Sequence, residues 1–280
     1  MNEAIAELFA GRDLAQGVSA MIALMVAVAG RPLGFVLVQP VFGRFGLTTG
    51  LLRGSVLVAL TAPVLPSAAA MAAASPEIIS FGSLPFLLLR ELIIGVVLGL
   101  LTGVPLWAAM AAGEFIDIQR GASMATLLDP QSSTEMSVTG TMLFLTCLLV
   151  LAVEGVLFPV FFGPFFESYR LFPVLGGVPQ PVPSQGELAL RLLDQIFRAG
   201  LILALPLIIP LLLAEFMLAV ATKYVQQINT MFLAMSVKQI IYSLLMLFYA
   251  VMLARYAVGQ IGRGSFGVDA LIPFLRPEMP

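Results

Sequence analysis

Six long apolar segments, at approximately residues 14–30, 47–72, 84–112, 138–162, 199–222 and 231–258, are separated by short polar stretches. A helix crossing a bilayer needs about 20 consecutive apolar residues, and about 17 already suffice. Each segment therefore reads as a membrane-length helix. Charge points the same way: the 280 residues are 60% hydrophobic and 11% charged, against roughly 25% charged in soluble globular domains. The expected fold class is all-α, an integral-membrane-type protein of about six apolar helices. One helical domain is expected over residues 1–262, with a C-terminal tail at 263–280. Six spans would place both termini on one side, but Lys and Arg divide too evenly between the sides to orient the chain. The acidic start, with Glu3, Glu7 and Asp13, is unlike the basic start of a signal peptide and predicts an uncleaved first helix.

The segments are heavily interrupted. Among 25 Gly and 19 Pro, Pro63 and Pro66 fall in the second segment, Pro105 in the third, and Pro206 and Pro210 in the fifth. Each proline removes a ladder hydrogen bond and presses on the preceding turn. In lipid the freed carbonyls need neighbouring helices or water. The pattern suits either kinked spanning helices or bent hairpins packed in a larger assembly. Gly46, Gly50 and Gly54, and again Gly95, Gly99 and Gly103, recur at four-residue spacing, which lets another backbone approach closely. They are candidates for helix packing within the chain or for a subunit interface.

Two absences exclude whole chemistries. The sequence has no histidine, which removes HExxH metal sites, His-assisted nucleophiles and histidine proton relays. Its single cysteine, Cys147, allows neither a disulfide framework nor a zinc cluster. A net charge of −2 offers no electrostatic case for nucleic acid. No catalytic residue, cofactor or metal is expected.

The most informative polar stretch is 113–137, GEFIDIQRGASMATLLDPQSSTEMS. If its first part is helical, Glu114, Asp117 and Arg120 share a face and Asp117 can reach Arg120. Gly121 permits a turn, Asp129-Pro130 starts another, and Ser132 with Glu135 reads as a capping box for the fourth helix. Interleaved Phe115, Ile116, Ile118, Met124 and Leu127 suit a segment folded into a protein interior or pore. The connection 163–186 carries a Pro/Gly-rich run from Pro173 to Pro183 that is expected to be extended and helix-free, and Ser184 with Glu187 reads as a second capping box. Arg90, Glu91, Glu154, Glu215 and Lys238 lie in or beside apolar runs, where ionisable groups need a partner. Arg90 and Glu91 are consecutive and so are not expected to face each other. Lys238 is a candidate partner for Glu215.

Together these stretches resemble the FliR/SctT (YscT, HrcT, SpaR) family of flagellar and type III secretion export-apparatus proteins, over roughly residues 15–260. The resemblance is carried by RELIIGVVLGL (90–100), GEFIDIQRGAS (113–123) with Asp129-Pro130, and Ser168-Tyr169 with Pro173. QINTMFLAMSVK (227–238) adds Gln227, Asn229, Phe232, Met235 and Lys238. Gln226 and Ser236 depart from the family pattern, which has proline there. FLAMSVK and SYRLFP favour the injectisome branch over the flagellar one.

The resemblance implies a subunit of the export gate in the bacterial inner membrane, part of it raised toward the periplasm. Its implied partners are SctR/FliP-like and SctS/FliQ-like subunits, SctU/FlhB-like and SctV/FlhA-like proteins, membrane lipid and unfolded secretion substrates in transit. It also implies a pore plug within 113–130: Gly113, Glu114, Phe115, Ile116, Asp117, Ile118, Gln119, Arg120, Gly121, Met124, Asp129 and Pro130. A constriction that passes polypeptide yet holds back ions must be adaptable and partly apolar, as this stretch is. The competing readings are an ion-coupled small-solute transporter, which would need paired intramembrane carboxylates and a repeat between halves, and an intramembrane enzyme. The chain offers no convincing repeat for the first and no recognisable signature for the second.

Overall fold

A computed structural model describes residues 14–44, 50–74, 84–121, 137–176, 185–224 and 230–262. Every regular element among them is a helix: α1 (Leu14–Val38), α2 (Pro40–Arg44), α3 (Gly50–Thr61), α4 (Leu65–Ala74), α5 (Leu84–Arg120), α6 (Val138–Val153), α7 (Leu157–Leu171), α8 (Gln185–Thr222) and α9 (Thr230–Gly262). The all-α expectation holds. Val18–Val38, Leu84–Arg120 and Leu193–Ala221 are long and apolar enough to cross a membrane, and the count reaches five if α3–α4 and α6–α7 each make one broken span. The sixth expected segment contributes the shorter apolar stretch Leu233–Tyr249 within α9.

The prolines differ in what they do. Pro63 sits in the turn between α3 and α4, which meet at 58°. Pro66 follows in the first turn of α4, where no intrahelical donor is needed. Pro105 in α5 and Pro206 and Pro210 in α8 lie inside continuous helices. Those helices persist because a single lost donor costs less than unpairing a whole apolar segment in a dry surrounding.

The α6–α7 break has another cause. Glu154 caps α6, and Gly155 takes φ +70°. The Gly155 N–H then donates to the Ala152 carbonyl and the Val156 N–H to the Leu151 carbonyl. This is a Schellman closure, which depends on the glycine's freedom at positive φ. Glu154, expected among the buried charges, is exposed at that cap.

The described residues group into two compact units, one drawn from within 1–103 and 159–188, the other from within 104–158 and 189–262. The core of the first gathers Leu24, Ala27 and Val28 with Val64, Ala68, Ala69, Ala72, Val174 and Leu175. Phe35 adds ring contacts with Phe42, Phe162 and Phe165, at 5.0 Å between centroids for the last. In the second unit Leu106, Ala109, Ile116, Leu143, Phe144, Leu151, Leu207 and Leu211 are buried.

The glycines fix the closest helix approach of the first unit. A Cβ at Gly95 would fall on the Arg31 carbonyl, and one at Gly34 on the Leu92 carbonyl. A Cβ at Gly99 would lie 3.0 Å from the Phe35 carbonyl. Gly95 and Gly99 therefore pack within the chain, against the backbone of Arg31 and Phe35 in α1. Gly50 and Gly54 face open space, and Gly46 lies outside the described residues. Gly95→Ala should accordingly lower the melting temperature of the detergent-solubilised protein, with about 1–3 kcal/mol of overpacking cost. Gly54→Ala should leave it unchanged or raise it, since alanine favours the α3 interior. Thermal unfolding of the two variants side by side checks this contrast.

Candidate functional site

The first unit is organised around three charges shielded from water. Arg31 projects from α1, and its helix continues for seven further residues, so the charge cannot escape at an end. Its Nε donates to Glu91 Oε2 at 2.8 Å, Nη1 to Ser168 Oγ at 2.9 Å and Nη2 to the Phe172 carbonyl at 2.8 Å. The guanidinium lies 4.0 Å from the centroid of the Tyr169 ring, a cation–π contact. Arg90 completes the group. Its Nη2 donates to Glu91 Oε1 at 2.7 Å and its Nη1 to the Gly176 carbonyl at 2.7 Å, and Nη2 also reaches the carbonyls of Pro173 and Val174. Arg31 and Glu91 are fully buried.

Two arginines facing one carboxylate leave a surplus positive charge. It is met by the carbonyls at and beyond the C-terminus of α7, where the helix dipole is negative and unpaired acceptors accumulate. The expectation that Arg90 and Glu91 do not face each other is thus corrected. A long arginine side chain curls back over its neighbour when the carbonyls it must satisfy lie there. Arg31 was missed by sequence reasoning because the first apolar segment stops at residue 30. The available signal was the apolar run Phe35-Val36-Leu37-Val38 on its far side.

The second unit contains the first part of the 113–137 stretch. Residues 113–120 are helical and form the last turns of α5, and the helix stops at Gly121, whose φ is +86°. Ile116 is fully buried and Asp117 nearly so, while Glu114 and Ile118 are exposed and Phe115, Gln119, Arg120 and Gly121 are half-buried. The helical period explains this division: Ala112 and Ile116 continue the inward face of α5. Gly113 packs directly on Gly140 of α6.

The Asp117–Arg120 pair forms as anticipated, at 2.8 Å. Asp117 also accepts the Ser137 hydroxyl at 2.6 Å, the Thr139 N–H at 3.1 Å and the Thr139 hydroxyl. It serves as a cap for α6 supplied from another helix, since the first N–H groups of a helix lack intrahelical partners. The N-cap of α6 is Ser137, which accepts the Gly140 N–H at 2.7 Å. Ser132, Glu135, Met124, Asp129, Pro130, Gln227 and Asn229 lie outside the described residues. Lys238 does meet Glu215, at 2.6 Å; Lys238 is buried and Glu215 half-exposed.

An all-α chain with membrane-length helices, buried arginine–glutamate pairing and cross-capped helix ends belongs among integral-membrane-type proteins. Residues 22–263 match the family described as Bacterial export proteins, family 1, and the chain belongs to that family. Yop proteins translocation protein T of Yersinia pestis is 31% identical over 241 residues, 85% of this chain and 90% of that protein. Surface presentation of antigens protein SpaR of Salmonella typhimurium is 30% identical over 227 residues, 79% and 83% of the two chains. Flagellar biosynthetic protein FliR of Pectobacterium carotovorum is 31% identical over 203 residues, 71% and 73%.

Loss of Glu91 would strand two buried guanidinium groups. Removing one partner of a buried ion pair costs about 3–5 kcal/mol, so Glu91→Ala should yield protein that is mostly unfolded or degraded. Glu154→Ala, at the exposed cap, should retain the parent melting temperature. Yield and thermal unfolding after detergent extraction distinguish the two.

Proposed function

We propose that the chain is a non-enzymatic subunit of the export gate of a type III secretion system, helping to form and close a protein-conducting pore across the bacterial inner membrane. The observation that carries this reading is the family match across residues 22–263, joined by relatives whose names include "Secretion system apparatus protein SsaT". The Yersinia and Salmonella secretion-system relatives cover 79% to 85% of the chain, against 71% for FliR of Pectobacterium carotovorum, which favours an injectisome. The FliR likeness keeps a flagellar export gate as the second reading.

In this reading SctR/FliP-like and SctS/FliQ-like subunits cover much of the apolar surface. SctU/FlhB-like and SctV/FlhA-like proteins adjoin it, and unfolded polypeptide passes beside it. The exposed apolar surface supports this: Leu201, Ile209, Leu213 and Phe216 all stand out from α8, as surfaces meant for lipid or protein do. The plug is the α5–α6 connection, with the end of α5 as its base. Asp117 and Arg120 pair with each other and with neighbouring polar groups, so the base carries charge without leaving it unsatisfied. Ile118 remains exposed beside them as an apolar contact.

Deleting residues 123–130 removes part of the connection while sparing α5 and the Asp117 cap. The assembled complex should then leak small solutes, read as uptake by cells or inverted vesicles, with co-purifying subunits at parental levels. Parental permeability in a fully assembled complex would overturn the plug assignment. Rescue of secretion in an injectisome deletion strain, but not of motility in a flagellar one, separates the two export readings.

A further inference from the structure

Four residues of α9 meet the two ends of the α5–α6 connection. Met235, Lys238, Gln239 and Tyr242 recur at i, i+3, i+4 and i+7, which places them along one face of the helix. The Met235 side chain lies over Gly121, the residue that ends α5. Lys238 Nζ donates to the Gln119 carbonyl at 3.0 Å, one of the last-turn acceptors of α5. Its other contact is Glu215 of α8 at 2.6 Å, and Gln119 Nε2 donates to the same carboxylate oxygen at 3.1 Å. Arg120 Nη1 donates to Gln239 Oε1 at 3.2 Å, and its guanidinium lies 4.5 Å from the centroid of the Tyr242 ring. On the other side of the connection, the Tyr242 hydroxyl is 2.9 Å from Thr139 Oγ1 at the start of α6.

We propose that this face of α9 is the positioning element of the α5–α6 connection. Lys238 and Tyr242 hold its two ends at a fixed separation, with Asp117 joining the ends to each other. The proposal rests on the plug reading given above for its functional consequence, though not for its geometry. Each contact has a distinct task. Lys238 is a buried cation that satisfies both an orphan helix carbonyl and a carboxylate, and charge-assisted bonds of this kind are stronger than neutral ones. Tyr242 spans the gap, with its ring face toward Arg120 from α5 and its hydroxyl on Thr139 from α6. Gln239 accepts from Arg120, and Met235 lies over Gly121. An alternative in which α9 merely fills volume would make Lys238 replaceable by any side chain of similar length, because an apolar chain packs there equally well.

The test uses the full chain assembled with its partner subunits in membrane vesicles. Spin labels are placed at Ile118→Cys and Val138→Cys in a Cys147→Ala background. Both label positions are exposed, at 65% and 64%, and flank the connection. A narrow label-to-label distance distribution is expected in the parent. Lys238→Met and Tyr242→Phe should broaden it and raise small-solute permeability about tenfold, the effect of losing one bond to a charged or buried polar group. Lys238→Arg should restore both readouts. In the 123–130 deletion, Lys238→Met should broaden the distribution but add no further leak.

Equal distributions in the parent and Lys238→Met would overturn the positioning role, as would equal behaviour of Lys238→Met and Lys238→Arg. Broadening without added leak in the intact connection would support the positioning role and overturn the plug reading instead. If Lys238→Met fails to assemble, Tyr242→Phe decides the question, since it removes a single hydroxyl and keeps the ring.

Discussion

An apolar surrounding imposes one rule on this chain: every charge and every freed backbone group must find its partner inside the protein. The Arg31–Glu91–Arg90 group shows the consequence. A carboxylate between two guanidiniums leaves one positive charge over, and in hydrocarbon or a packed interior that remainder has no water to turn to. The chain supplies main-chain carbonyls from Phe172, Pro173, Val174 and Gly176. The same bonds therefore neutralise α1 and α5 and fix the backbone that leaves α7. The Pro/Gly-rich connection starts from an anchored position because the arginines require it.

Small residues make that arrangement reachable. Arg31 can meet Glu91 over the length of an arginine only if α1 and α5 nearly touch. Gly30 and Gly34 on one helix and Gly95 and Gly99 on the other remove the side chains that would keep them apart. Without a hydrophobic force between helices in lipid, close backbone contact and polar pairing are what hold them. Glycine spacing and the buried ion pairs are two aspects of one interface. The second unit repeats the logic, with Gly113 against Gly140 beside the Asp117 cap.

For an export-gate component this economy is useful. The proposed plug requires that the ends of α5 and α6 be held in place. The ends are held by Asp117, which satisfies the α6 N-terminus from a neighbouring helix, and by α9, which satisfies the α5 C-terminus. A helix that carries the apolar core inward can thus present a polar base at its end with Asp117, Arg120 and the Gln119 carbonyl each partnered.

The sequence by itself determined the fold class, the approximate positions of the apolar helices, the family and the Asp117–Arg120 pair. Periodicity and the lack of charge leave few alternatives, and Asp117 and Arg120 at spacing three are neighbours on any helix. It also placed Gly95 and Gly99 on a contact face, and it offered Lys238 as a partner for Glu215. Tertiary structure decided the rest. It placed Arg31 inside a helix, bent Arg90 back onto Glu91, exposed Glu154 at a Schellman turn and continued α5 through Arg120. Each of these depends on an acceptor or packing surface that the local pattern does not reveal: the carbonyls after α7, the glycine at 155, the inward face completed by Ile116. A sequence states which groups will need a partner. Only the folded chain brings the partner within hydrogen-bond reach.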